Sequence, residues 1–102
     1  MIVHEKNHGE KIEFQLIGSE LHIRDEEMIL DLSALQEEES VQVIVYFDRQ
    51  KKLTTNSRKG RSYVLEIVIP PMEYMPSEEN PEEIIPAPID LNKVELTLWA
   101  VA

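Results

Sequence analysis

The chain has no cysteine, few glycines and no long apolar run, and each absence narrows what it can be. Without thiols there is no disulfide framework, no thiolate zinc site, no iron–sulfur cluster and no cysteine nucleophile. The apolar runs fall far short of the roughly 20 residues of a membrane helix. The first residues also lack the basic start and apolar stretch of a signal peptide. The sequence therefore predicts a soluble, cytoplasmic protein without membrane contact.

The chain has the size of one domain and an excess of acidic residues. The 102 residues, 42% of them hydrophobic, fit one domain, because folding at this length buries roughly two-thirds of the unfolded chain's surface. Twenty acidic residues against ten basic ones give a formal charge of −10. That balance opposes general affinity for nucleic acid or anionic membranes. We expect residues 1–102 to form a single β domain and do not expect nucleic acid as its partner.

Apolar residues alternate with a period of two along most of the chain. Six short segments rich in Val, Ile, Leu and aromatics are separated by Gly, Asn, Ser, Asp and Pro, as strands are. The clearest predicted core rows are Val41, Val43, Val45 and Phe47, and Tyr63, Leu65, Ile67 and Ile69. The links are too short for helical crossovers, so most pairs should be antiparallel. The sequence predicts an all-β fold, a small antiparallel β-sandwich or barrel of about six strands.

One short helix is predicted between the strands. Ser33 and Gln36 have the spacing of a capping box, in which both side chains satisfy amide groups at a helix start. The segment has room for at most two turns, and an isolated helix so short is marginal in water. We interpret it as a connector.

The strongest motif match is His4-Glu5-Lys6-Asn7-His8, the His-Glu-x-x-His pattern of zinc proteases. That chemistry needs both imidazoles on one helical face, yet only three residues precede His4 and Gly9 follows His8. We therefore interpret residues 1–10 as a mobile N-terminal segment without a metal site. No phosphate-binding glycine loop or serine nucleophile elbow occurs either, so we expect no catalysis and no cofactor.

Residues 49–61 form a basic loop, which we predict to be the tip of a long hairpin. The segment holds six of the ten basic residues and no acid, which leaves a formal charge of −16 on the rest of the chain. One interpretation is a finger that contacts nucleic-acid phosphate or an acidic protein surface. The other, which we favour, is a solvated loop that partly neutralises an acidic body. The basic residues are Arg49, Lys51, Lys52, Arg58, Lys59 and Arg61.

Residues 70–92 form a Pro-rich arm that contains all six prolines. Proline excludes a helix interior or a central strand, so the arm should be extended or irregular. A flexible linker would be polar, but large apolar residues are spaced along the arm between glutamates. They predict docking against the chain's own β body or another chain. These residues are Met72, Tyr74, Met75, Ile84 and Ile85.

The outward face of the predicted sheet carries a candidate protein interface. Tyr46, Val64, Val68 and Trp99 alternate with the core positions of three strands, so they should form one apolar patch. Such a patch on a soluble protein is usually covered. The cover is either the arm or another subunit, and we favour self-association because five glutamates make the arm a poor cover.

These observations predict a non-catalytic protein–protein interaction or structural accessory module. It would work as a homo-oligomer, or within a larger assembly such as a phage-like particle, with itself or another protein as partner. One alternative is an acidic regulatory protein that mimics nucleic acid toward a DNA-binding partner. A further alternative is nucleic-acid contact through the basic loop.

Overall fold

The computed structural model describes residues 1–101, which form ten strands in three sheets, none of them closed. The all-β class is confirmed, and all six predicted segments contain strands. The elements are β1 (Ile2–Glu5), β2 (Phe14–Ile17), β3 (Glu20–Ile23), β4 (Met28–Asp31), α1 (Leu32–Leu35), β5 (Val41–Phe47), β6 (Leu53–Thr54), β7 (Ser62–Ile69), β8 (Tyr74–Pro76), β9 (Ile84–Pro86), a 3-10 turn (Leu91–Lys93) and β10 (Glu95–Leu98).

The largest sheet has five strands in the order β1-β10-β7-β5-β6. Its centre is the antiparallel pair β5–β7, the two longest apolar rows of the sequence, which run from Val41 opposite Ile69 to Phe47 opposite Ser62. The edge pair β1–β10 is parallel, which is possible because nearly the whole chain lies between the two strands.

The second sheet is the antiparallel meander β2-β3-β4. Gly18 supplies the positive φ of +58° that the two-residue turn between β2 and β3 needs. The meander and the five-stranded sheet share one hydrophobic core, because Leu21 and Ile23 from β3 belong to the same buried cluster as Val45, Leu65, Ile67 and Leu96.

The N-terminal residues differ from the prediction of a mobile segment. Residues 2–5 pair with β10, and the chain ends stay together beyond the strands. The backbone N–H of Ala100 donates to Asn7 Oδ1 at 2.7 Å, and that of Val101 donates to the Glu10 carbonyl at 2.8 Å. Nothing in the local pattern of residues predicts this pairing, because it joins segments more than 90 residues apart.

The helical connector is present but begins earlier than predicted. α1 is a single turn, and its N-cap is Asp31, whose carboxylate accepts from the Ala34 N–H at 3.2 Å. Ser33 lies inside the turn. Gln36 does not close a capping box: its side-chain amide donates to the carbonyls of Pro70 and Pro71 and so ties the connector to the arm.

The basic loop is not the tip of one long hairpin. Its middle, β6, returns along the outer edge of β5, with Tyr46 opposite Thr54. Residues 49–61 therefore form two compact turns, one on each side of β6, and the second turn crosses from β6 to β7 over the end of β5.

The arm contains a small hairpin, β8–β9, instead of being extended throughout. It leaves the sheet after Ile69 and is anchored at its base, where the Met72 N–H donates to the Glu37 carbonyl at 2.8 Å and Lys93 pairs with Glu73 at 2.6 Å. The molecule measures 52 × 25 × 22 Å, and its radius of gyration of 15.7 Å exceeds the about 13 Å of a compact domain this long. The structure is therefore elongated.

Candidate protein-interaction surface

Three aromatic side chains form a row at one end of the five-stranded sheet. The ring centroids of Tyr46 and Tyr63 lie 5.4 Å apart, and those of Tyr63 and Trp99 lie 5.2 Å apart in a stacked arrangement. Tyr46 and Tyr63 are a cross-strand pair, and the Trp99 N–H donates to the Val64 carbonyl at 3.0 Å, which extends β10 alongside β7. We call Tyr46, Tyr63 and Trp99 the aromatic row.

A β-bulge decides which residues reach this face. Val45 lies opposite Leu65 and Tyr46 lies opposite Tyr63, so Val64 has no partner in β5. An extra residue in one strand resets the alternation of side chains beyond it. Val64 is consequently fully buried in the core cluster, whereas Tyr63 is 51% exposed.

The predicted patch is thus corrected at three positions. Tyr46 and Trp99 lie together, as expected, but Val64 belongs to the core, and Tyr63, from the alternating row of Leu65, takes its place on this face. Val68 is half-buried about 16 Å further along β7, opposite Gln42 and Glu95. Apolar side chains therefore lie at both ends of this face, the aromatic row at one end and Val68 in the same row as Ile2, which is 48% exposed, at the other.

On the rest of this face, polar pairs alternate with apolar side chains, among them the half-buried Ile44 opposite Glu66. Gln42 donates to a Glu66 carboxylate oxygen at 2.6 Å, and His4 Nε2 lies 3.2 Å from Glu95 Oε1. These pairs interrupt the apolar residues between Val68 and the aromatic row, so the outer face is not a continuous hydrophobic surface.

The arm does not cover the aromatic row. The row lies at the start of β7 and the arm begins at Pro70, seven residues after Tyr63, a distance of about 23 Å along an extended strand. The base of the arm is hydrogen-bonded to Gln36 and Glu37, at the same far end. Within residues 1–101, the aromatic row and the arm therefore occupy opposite ends of the sheet.

The basic loop borders the aromatic row directly. A Cβ placed on Gly60 would lie 2.5 Å from Tyr46 Cγ, so the loop backbone crosses the Tyr46 ring. The N–H of Arg61 donates to the Phe47 carbonyl at 2.7 Å, which fixes the crossing. The structure thus joins two features that the sequence kept apart, because the basic segment itself contains no aromatic residue.

All six cations of the basic loop are exposed, and within residues 1–101 none has a carboxylate within 4.0 Å. Unpaired cations beside the exposed Tyr63 ring and the partly buried Tyr46 and Trp99 rings favour a partner that offers negative charge together with apolar or planar groups. The residues are Arg49, Lys51, Lys52, Arg58, Lys59 and Arg61.

Two carboxylates hold the first turn of this loop. Asp48 accepts from the Lys52 N–H at 3.0 Å, and hydrogen bonding from the backbone lowers the pKa of Asp48. Glu27 accepts from the Leu53 N–H at 2.9 Å and from the Arg24 guanidinium at 2.6 Å, and these bonds lower the pKa of Glu27. The loop is thereby attached to the meander as well as to β5.

The arm presents the opposite chemistry at the other end. Ile84 is 67% exposed and Tyr74 47% exposed, while Met72, Met75 and Ile85 are partly buried without belonging to the core cluster. The Tyr74 hydroxyl donates to Glu38, whose carboxylate raises the pKa of Tyr74. The loop of the β8–β9 hairpin adds four exposed carboxylates, Glu78, Glu79, Glu82 and Glu83.

The His-Glu-x-x-His motif does not form a helical metal site. His4 lies in β1 and residues 6–9 form a bend, so the two imidazoles do not share a helical face. Among the described residues no group of three or more metal-ligating side chains is brought together.

An open groove of about 420 Å³ beside the β3–β4 turn was not predicted from the sequence. His22 Nε2 lies 3.3 Å from Glu20, and His22 Nδ1 is 3.3 Å from Glu26 in an orientation that makes no hydrogen bond. The alternation in β3 predicts that His22 lies on the face opposite Leu21 and Ile23. It carries no information on the β3–β4 turn, which places Glu26 beside the His22 imidazole. The groove is lined by Glu13, Phe14, Gln15, His22, Arg24, Asp25 and Glu26.

No protein-family model, no curated protein and no solved structure matches this chain. In the part of the chain that the structure describes, no helix has the length and apolar character needed to cross a membrane.

Proposed function

We propose that this protein is a non-catalytic protein–protein interaction module, a two-layer β domain that works within a larger assembly. The observation that carries the proposal is the aromatic row, which the chain's own arm leaves uncovered at the end of the sheet. Tyrosine and tryptophan are enriched at the centres of protein interfaces, where large rigid rings contribute much of the binding energy.

A second candidate function is contact with single-stranded nucleic acid. It is favoured by the position of the basic loop against the aromatic row, because cations beside stacked rings suit phosphates and bases. It is opposed by the formal charge of −16 outside the loop. The protein partner fits this balance better.

Photocrosslinking inside cells that make the protein tests the proposal. A photoreactive phenylalanine analogue replaces Tyr63, and the same analogue at Ile29 is the control, because both positions are about half exposed, at 51% and 47%, on different sheets. We expect protein adducts from position 63, mapped to one surface of the partner, and none from position 29. Equal adducts from both positions, or adducts to nucleic acid alone, would contradict the proposal.

A further inference from the structure

The two ends of this elongated molecule are chemically complementary. One end combines the aromatic row with six unpaired cations, and the other combines exposed apolar side chains with the four carboxylates of the arm hairpin. Opposite charges flanking apolar surfaces are the pattern by which interfaces select their partner and orientation. The ends cannot meet within one chain, because the arm is anchored at the far end of β7.

We propose that copies of this chain associate head to tail, with the arm hairpin of one copy docked on the aromatic row and basic loop of the next. This inference rests on the proposed function and names its partner, a second copy. Ile84 and Tyr74 pack against the row, and the hairpin glutamates face the cations. The contact is heterologous, so it generates rings or open chains of subunits instead of a closed symmetric dimer.

A symmetric contact of row against row fits the charges less well. A two-fold axis through the aromatic row would bring the six cations of one basic loop beside the same six of the second copy. Like charges placed together across an interface are costly. The head-to-tail arrangement pairs those cations with Glu78, Glu79, Glu82 and Glu83 instead.

The arm is held in position before it binds. Gln36 donates to the Pro70 and Pro71 carbonyls at 3.1 and 3.3 Å, and Lys93 pairs with Glu73 at the hairpin base. An element already held in its bound position loses less entropy on association. The hairpin from Tyr74 to Pro86 is smaller than the 20–30 residues per side of a standard interface, so we expect dissociation constants of about 1–100 μM.

Sedimentation of the full chain, alone and with single variants, tests the inference. Tyr63→Ser removes the exposed ring of the row, Ile84→Ser removes the most exposed apolar side chain of the arm, and Ile29→Ser is a control on the meander. All three side chains are about half exposed or more, so each variant should fold. We expect the wild type and Ile29→Ser to associate beyond a dimer as concentration rises, and each of the other two variants to stay near 11.8 kDa.

The decisive sample is the mixture of Tyr63→Ser with Ile84→Ser. One variant keeps an intact arm and the other an intact row, so a head-to-tail contact predicts a one-to-one dimer that grows no further. Raising the sodium chloride concentration from about 0.1 M to about 1 M shortens the Debye length from about 10 Å to about 3 Å. We expect this change to weaken the association of the two variants.

Three results would overturn the inference, and they differ in what they mean for the proposed function. If Tyr63→Ser prevents association but Ile84→Ser does not, the row binds another row and the proposed function stands. If the wild type is monomeric but position 63 crosslinks to a different protein, the partner is not a second copy. If the wild type is monomeric and Tyr63→Ser abolishes binding of a single-stranded oligonucleotide, both proposals fail in favour of nucleic acid.

Discussion

At Gly60 the backbone of the basic loop packs against the Tyr46 ring of the aromatic row. A side chain there would meet Tyr46 Cγ at 2.5 Å and Tyr46 Cβ at 2.9 Å, atoms too close to the backbone to swing aside. We therefore expect Gly60→Ala to lower the free energy of unfolding by about 1–3 kcal/mol, the usual cost of overpacking. Chemical denaturation of the wild type and of Gly60→Ala measures this difference in the free energy of unfolding.

The matched control lies in the same turn. Ser57 is exposed, and Ser57→Ala should change the free energy of unfolding by no more than about 0.5 kcal/mol. Equal stability of Gly60→Ala and Ser57→Ala would mean that the loop does not cross the Tyr46 ring, and the basic loop would lose its place beside the aromatic row.

The β-bulge in β7 places Tyr63 on the face that carries the aromatic row. Substitution of two valines of β7 tests whether the bulge is present. We expect Val64→Ala to lower the free energy of unfolding by about 2 kcal/mol, because it removes buried methyl groups and leaves a cavity. Val68→Ala, at a half-buried position of the same strand, should cost less than about 1 kcal/mol. In a regular strand Val64 and Val68 would lie on the same face. Equal decreases in the free energy of unfolding for the two variants, measured by chemical denaturation, would therefore contradict the bulge.

The same bulge explains what the sequence could and could not predict. A period of two located six of the ten strands of residues 1–101 and the positions of Tyr46 and Trp99, because alternation reports local strand geometry. One extra residue in β7 then exchanged the environments of Tyr63 and Val64, and nothing in the composition of Ser62-Tyr63-Val64-Leu65 marks it. Sequence alternation carries no information on which residue is skipped by the partner strand.

The four strands that were missed share a different cause. β6, β8 and β9 have only two or three residues, too few for alternation to stand out, and the four residues of β1, Ile-Val-His-Glu, do not alternate. Their positions depend on distant partners, as β1 depends on β10, or on a local turn held by a side chain, as β6 depends on the Asp48 carboxylate. The basic loop lies beside the aromatic row because β6 pairs with β5. Since the sequence does not predict β6, it does not predict this contact either.

At the scale of the whole molecule, the elongated shape separates two ends of opposite charge. The chain is about twice as long as it is wide, with its unpaired cations and aromatic row at one end and its acidic hairpin at the other. Separated, complementary ends steer association into one orientation and make it sensitive to salt. The acidic balance of the chain therefore does not act as a uniform field, because the basic loop gives one end the opposite sign.

Trp99 is the single tryptophan and belongs to the aromatic row, so its fluorescence reports directly whether that row is covered. The measurement is acrylamide quenching of the wild type and of Tyr63→Ser across the micromolar range. We predict that quenching of the wild type falls as protein concentration rises, with a blue-shifted emission, and that Tyr63→Ser shows no such dependence. Quenching of the wild type that stays the same at every concentration would contradict the claim that copies of this chain cover one another's aromatic row.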